Sequence, residues 1–500
     1  MKTHCRLNLP FFLLKAVSVL LFGVFSLGAV SAPSHTEFFA STHSTIQLPT
    51  LGDSTGSIVS PIEEHQLGQS FLRIIYQQAS INEDALIRVY IENLSSGLIN
   101  HSPLTPKAFS LVIMNYPEIN AFAAPGTIIG INLGLILQAE TEDEVASVIA
   151  HDIGHLTQRH YARSLARKKS QQLVSIGSLL GGLLIAASGQ ADAGIATMQT
   201  GMGLAAQQQL KYSRQDEQEA DRIGISTLYS AGFNPKAAAD MFQVMQKSMR
   251  YREDIQQISF LLTHPLTESR ISDATLQANS YPNRKYRDSF EFHLVKARIK
   301  VLQSKNIPQT IDFFKRQVTK YPMARDYGLA ISLLADNKAL EAKPIIEKLY
   351  QQNPHKVAFV VAKAELLIAL NKAPQAIKLL KKQLALQPQN TALLSTLSKA
   401  FQQNQQPAQA AKSFTEAIKN QSAPPAYLWR QLSELYGLAG NISEVHRSRA
   451  EYFIAIGQFK DAERHLKLAL PMSENNRQIS AKIRTRLTQL KEIEKVSKLK

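Results

Sequence analysis

The sequence predicts a mainly α protein in two parts: a helical domain holding a small β-sheet, then a solenoid of short helical repeats. Three observations lead there. Ala342, Ala376 and Ala410 recur every 34 residues, as do Pro354 and Pro388. Residues 63–100 and 141–169 carry apolar positions at helical spacing. Only short β-branched runs, "FSLVIMN" and "GTIIGINLGLI", read as strands.

The chain has 500 residues, room for two or three domains, and its 44% hydrophobic and 19% charged content is that of a globular protein. Residues 1–32 read as a secretory signal peptide. Lys2 and Arg6 precede an apolar run broken once by Lys15, and Val30 and Ala32 are the small residues of a cleavage site. Pro33 would follow the cut, an awkward place for proline, which leaves the exact site open; the alternative to a cleaved signal is a retained membrane anchor. No other stretch reaches the roughly 20 apolar residues of a spanning helix. The one cysteine, Cys5, lies in the signal, so an exported chain needs no disulfide. The expected location is the bacterial periplasm. Export argues against nucleic acid as a partner despite the net charge of +16.

Along the mature chain, residues 33–60 are rich in Ser, Thr, Gly and Pro and are expected to wrap irregularly. "GQSFLRIIYQQ" and "DALIRVYIENL" then read as helix, and the two strand segments follow. Thr141 opens a further helix, since "TEDE" has capping-box spacing, and this helix is expected to run to about Lys169. Residues 173–206 are apolar, small and nearly uncharged; they read either as a pair of buried core helices or as a mobile flap or membrane-touching segment beside the active cleft. "YSRQDEQEADRIGISTLYSAGF" is helical again and ends at Gly232 and Pro235.

From about residue 285 the period of 34 takes over. "NKAPQAIKLLKKQLALQPQN" and "NQQPAQAAKSFTEAIKN" align without gaps, and "GQFKDAERHLKLALP" is a later copy. Small residues at the helix crossing and proline at the unit's end mark tetratricopeptide pairs. Four to six units are expected, irregular at both ends. They carry their own apolar faces, which predicts an arm that folds independently of any metal. Residues 281–500 hold a surplus of about 20 positive charges. That basic surface suits acidic partners or peripheral contact with an anionic membrane, or is simply solvated.

The chemistry sits in "SVIAHDIGHLTQRH". His151 and His155 are four apart, share one helix face and can grip one zinc ion. "EQEAD" supplies Glu217 as a third ligand, with Asp221 on the same face to accept the outer N–H of a ligand histidine. Glu219 points away, and His160, nine past His151, falls on the opposite face of an unbroken helix. His264, ahead of Pro265, is a further candidate, either a fourth ligand that silences the site or a structural histidine. Arg270 is expected to pair with a carboxylate near the cleft.

With "NAFAAPGTIIGINLGLI", "EVASVIAHDIGHLTQRH", "EQEADRIG" and "LLTHPLTESRI" in this order, the chain resembles the zinc metallopeptidases that include HtpX and the CAAX prenyl proteases. The resemblance implies His151, His155 and Glu217 as ligands of one Zn2+ per chain. It implies Asp152 as general base and Asp221 behind the ligands, in a position often labelled proton donor. It also implies Asn120, Ala121 and Phe122 as an edge strand where a substrate backbone would pair. The departure is Asp152, because this motif ordinarily carries glutamate as the base that takes and returns a proton. Aspartate is shorter by about 1.5 Å, and misplacement near 1 Å costs on the order of a hundredfold in rate.

The domains read as 1–32 signal, 33–284 zinc metallopeptidase and 285–490 repeats. The resemblance implies a periplasmic zinc metalloendopeptidase with a chaperone-like part in outer-membrane protein assembly and quality control. It would degrade misfolded or stalled barrel proteins and dock the barrel-assembly machinery. The rival reading is a catalytically impaired zinc-binding chaperone or scaffold. Asp152 favours the rival, and the intact "EQEAD" favours the enzyme.

Overall fold

The computed structural model describes residues 59–169, 212–250, 260–419, 421 and 424–498. Residues 1–32, expected to be a signal peptide, nearly all of segment 33–60 and the apolar segment 173–206 lie outside the described residues.

Helix α1 (Pro61–Gln78) starts on Ser60, whose hydroxyl and backbone exchange hydrogen bonds with Glu63 in a capping box. Helix α2 (Ala85–Asn100) is capped by Asp84. Among the described residues the sheet has three strands, β1 (Ser110–Met114), β2 (Ala121–Ala124) and β3 (Ile128–Asn132), in the order β1-β3-β2. β1 runs parallel to β3, and β2 antiparallel to it, so β2 is an edge of the sheet. Phe122 on β2 lies over Gly130 opposite, where a Cβ would meet its ring at 2.1 Å. The strand expected through "GTIIGINLGLI" stops at Asn132; Leu133–Gln138 are helix α3.

Helix α4 (Glu142–Thr157) begins on Thr141, whose hydroxyl accepts the Glu144 N–H. The single helix expected to Lys169 is corrected: it ends at Thr157, and α5 (His160–Lys169) starts in a new direction. Arg159 makes the break with a left-handed backbone, φ 49°. Its guanidinium is held 3.0 Å from Glu64 and 2.8 Å from the Val59 carbonyl, so tertiary contacts to the start of α1 secure the corner. No proline or glycine marks it in "LTQRH".

Helix α6 (Arg214–Ser230) lies along α4. The two backbones come close because Gly154 faces the Ala220 carbonyl, 2.7 Å from where a Cβ would stand, and Gly224 faces His151 N at 2.9 Å. This close approach carries "HDIGH" up to "EQEAD". Helices α7 (Ala237–Arg250), α8 (Phe260–Thr263) and α9 (Glu268–Ser280) close the first core, where Val145, Ile149 and Ile153 of α4 meet Ile225, Leu228 and Met245.

The repeats follow as helix pairs: Phe290–Leu302 with Ile307–Arg316, Pro322–Ala335 with Ala339–Gln352, Val357–Ala369 with Ala373–Leu384, and Thr391–Gln403 with Pro407–Lys419. Ala426–Leu438 with Ile442–Ala455, and Phe459–Ala469 with Arg477–Lys498, complete the series. Ala342, Ala376 and Ala410 are fully buried where paired helices cross. Asn337, Asn371, Gln405 and Gly440 turn between helices with φ of 59°, 57°, 55° and 72°. The first three of these turns recur at the period of 34 read from the sequence, and Gly440 follows one residue late.

The arm does not stand apart. Phe292, Val295 and Ile299 of its first helix belong to the first core, while Leu294, Ala297 and Val301 of that helix belong to the repeat core. Leu86 of α2 is buried among repeat side chains including Leu393, Leu397 and Tyr427. Between them Arg298, 8% exposed, reaches Asp84 at 2.8 Å and Glu365 at 3.0 Å. Beside this ion triad lies a cleft of about 720 Å³, lined by Asp84, Arg88, Glu365, Lys399 and Tyr427 among others.

Candidate metal centre

The spacing on α4 puts His151 and His155 one turn apart, and α6 brings Glu217 against both. His155 Nε2 is 3.1 Å from His151 Nε2, and Glu217 oxygens are 3.5 Å from each. His264, just past α8, comes within 3.3 Å of His151 Nε2 and 2.9 Å of Glu217 through its Nδ1. All four donors are buried and lie within 4.8 Å of one another. Zinc bonds of 2.0–2.1 Å in a tetrahedron separate the donors by about 3.3 Å. Five of the six pairs are separated by 2.9–3.5 Å, which brackets that value, within a set no wider than 4.8 Å, so these residues fit a zinc ion.

Groups behind the donors are also in place. His151 Nδ1 stands 2.8 Å from Asp221 Oδ1. Arg270 donates two hydrogen bonds to Asp221, at 2.7 and 2.8 Å, and its Nη1 is 2.6 Å from Glu217. Asp221 therefore sits behind a histidine, away from the donor cluster. The carboxylate partner of Arg270, open at the level of sequence, is Asp221 first and Glu217 second.

Burial alone would raise the Glu217 carboxyl, but His264, His155 and His151 together hold it well below the usual range. Burial also works against Asp221, where hydrogen bonds from Arg270 and His151 prevail and lower it. His155 is pushed down, chiefly by burial, toward the neutral form a metal needs. Asp152 goes the other way. Its side chain is fully buried, neither carboxylate oxygen has a hydrogen-bond partner among the described residues, and burial with Glu217 nearby raises it to about 7 against the pull of His151. His264 Nε2 lies 3.9 Å from Asp152 Oδ1.

Ala121 and Phe122 stand in edge strand β2, and Asn120 precedes it, its carbonyl accepting the Asn132 N–H. α8 docks beside them, with Phe260 N–H on the Ile119 carbonyl. Phe260 stacks on His264 at 4.4 Å, and the Tyr212 ring lies 4.0 Å from His155 and 5.2 Å from His264. Sequence reasoning missed these two rings, which no spacing connects to the histidines. It also dismissed His160. The break at Arg159 turns His160 back, so that its Nδ1 is 2.8 Å from His155 Nδ1.

The stretch that holds this cluster lies within a match to a known family. Residues 88–277 match peptidase family M48, and residues 333–400 match the tetratricopeptide repeat. The chain is 30% identical over 452 residues to the Beta-barrel assembly-enhancing protease of Escherichia coli (strain K12), covering 89% of this chain and 92% of that protein. The protein of that name from Yersinia pestis is 28% identical over 466 residues, with 90% and 94% covered. The Mitochondrial metalloendopeptidase OMA1 of Schizosaccharomyces pombe is 27% identical over 183 residues, 37% of this chain and 50% of that one. The chain belongs to peptidase family M48, with the family's domain followed by tetratricopeptide repeats.

Proposed function

We propose that this chain is a periplasmic zinc metalloendopeptidase that serves outer-membrane protein assembly and quality control, degrading misfolded or stalled barrel proteins. The observation that carries the proposal is the buried four-donor cluster with zinc-like separations, backed by Asp221 and Arg270. The names of the relatives support the assembly setting. In this reading residues 1–32 are removed as a signal, 33–284 form the peptidase and 285–490 dock the barrel-assembly machinery and unfolded clients.

His151, His155 and Glu217 hold the metal, which when bound polarises a peptide carbonyl and makes water a nucleophile at neutral pH. Asp221 orients His151, with Arg270 fixing Asp221 in turn. Edge strand β2 with Asn120, Ala121 and Phe122 pairs with an extended substrate backbone. Asp152 accepts a proton from the attacking water and returns it to the leaving amine.

One observation favours the second reading, an impaired zinc-binding scaffold. His264 occupies the fourth donor position, and a closed donor set is the mark of a structural site, whereas catalytic sites keep one position open. We therefore assign His264 as fourth ligand and switch, released when the segment bearing α8 moves. Zinc-loaded protein is incubated with an unfolded outer-membrane barrel protein and with casein, and fragments are followed over time. Cleavage lost in Glu217→Ala and raised in His264→Ala supports the peptidase with its switch. No cleavage by either the parent or His264→Ala leaves the scaffold.

A further inference from the structure

Among the described residues, no carboxylate stands behind His155. Its Nε2 faces the donor cluster, and its Nδ1 meets His160 Nδ1 at 2.8 Å. His160 is fully buried, and its Nε2 lies 3.2 Å from Glu219 Oε2 and 3.7 Å from Asp216 Oδ1. Arg163 closes on the same Glu219 oxygen, and Gln215 donates to the other at 3.3 Å. We propose that His160 is a positioning residue for the metal centre, holding His155 in the tautomer that turns Nε2 to the metal through a chain that ends on the Glu219–Arg163 ion pair. The proposal rests on the reading of His155 as a ligand.

Two ring nitrogens at 2.8 Å share one hydrogen, and only one assignment leaves His155 able to ligate. A neutral histidine that offers Nε2 carries its proton on Nδ1, so His155 donates and His160 Nδ1 accepts. The proton of His160 then sits on Nε2 and is donated to the Glu219 carboxylate. In the reverse assignment His155 would aim an N–H into the donor cluster, and His160 Nε2 would face Glu219 acceptor to acceptor. Glu219 and Arg163 thus set His160, and His160 sets His155, as Arg270 and Asp221 set His151. Both ligand histidines are braced by a chain that ends in a carboxylate held by an arginine. The corner at Arg159 makes the second chain possible, since an unbroken helix would carry His160 to the far face.

The test is zinc affinity of the full chain, measured by competition with a chelator, for the parent, His160→Leu, His160→Asn and Glu219→Gln. Leucine fills the buried volume without an acceptor, whereas asparagine is smaller and places Oδ1 about where histidine Nδ1 stood. Losing the acceptor is expected to weaken zinc binding by about 10–100-fold in His160→Leu, the range for outer partners of metal ligands. His160→Asn stays within a few-fold of the parent, and Glu219→Gln weakens binding by at least about threefold. A packing role gives the opposite order, with leucine ahead of asparagine, and that order overturns the proposal, as does parental affinity in His160→Leu. Should His160→Leu not fold, parental affinity in Glu219→Gln overturns the chain by itself. A parent that takes up no zinc refutes the metal-site reading instead, so the two failures are separable.

Discussion

Replacing Asp152 by glutamate asks whether reach is what this peptidase lacks. The added methylene advances the carboxylate by about 1.5 Å, and misplacement near 1 Å is worth on the order of a hundredfold in rate. The position is fully buried, with His264 Nε2 3.9 Å from Asp152 Oδ1. A glutamate extended along that line would arrive about 2.4 Å from His264, inside hydrogen-bond distance. It would therefore press on His264 before reaching any substrate. Asp152→Glu alone is expected to change the rate little. In a His264→Ala background the same substitution is expected to raise turnover at least tenfold, equivalent to about 1.4 kcal/mol of transition-state stabilisation. Asp152→Asn abolishes turnover in both backgrounds, because an amide cannot serve as the base. The assay is the initial rate of cleavage of an unfolded barrel protein, with zinc content measured and matched. No gain from glutamate in the His264→Ala background would refute the argument from reach, and a parental rate in Asp152→Asn would remove Asp152 from the reaction.

Three further outcomes are expected. Glu217→Ala should weaken zinc binding by more than about 100-fold, beyond the usual loss of an outer partner, as read by chelator competition. Arg298→Leu leaves Asp84 and Glu365 without their cation and should destabilise the full chain by about 3–5 kcal/mol in urea titration. His465, stacked on Phe453 and 2.8 Å from His446, is lowered to about 4 by burial and by His446. Since an unfolded histidine titrates near 6.5, the unfolded chain takes the proton first. The stability that depends on neutral His465 is complete above pH 6.5 and is lost as pH falls toward about 4. His465→Phe keeps the ring stack, and its thermal midpoint should fall less over that interval than the parent's.

What could be read from the sequence was whatever a local period encodes. His151 with His155, and Glu217 with Asp221, are one helical turn apart, so their shared faces follow from spacing alone. The repeats were legible for the same reason, each unit restating the last. What tertiary packing decides was hidden. The partner of Arg270 lies 49 positions away on another helix, and nothing along the chain selects Asp221 over Glu217. Spacing puts His160 on the wrong face because it assumes a helix continuous through Arg159, whereas contacts to α1 hold a corner there. Leu86 and Val89 looked like ordinary apolar positions of α2, yet they face the repeats instead of the first core.

The helix Phe290–Leu302 lends one set of side chains to each of two cores, and this limits how freely evolution or engineering can shuffle the arm. A graft that begins at residue 285 would bring Phe292, Val295 and Ile299 to a peptidase not shaped for them, and would part Arg298 from Asp84. A transplant that keeps both halves sound must carry the helix together with the α2 surface it touches. The peptidase and its repeats are then inherited as one piece, and change on either side is answerable to the other.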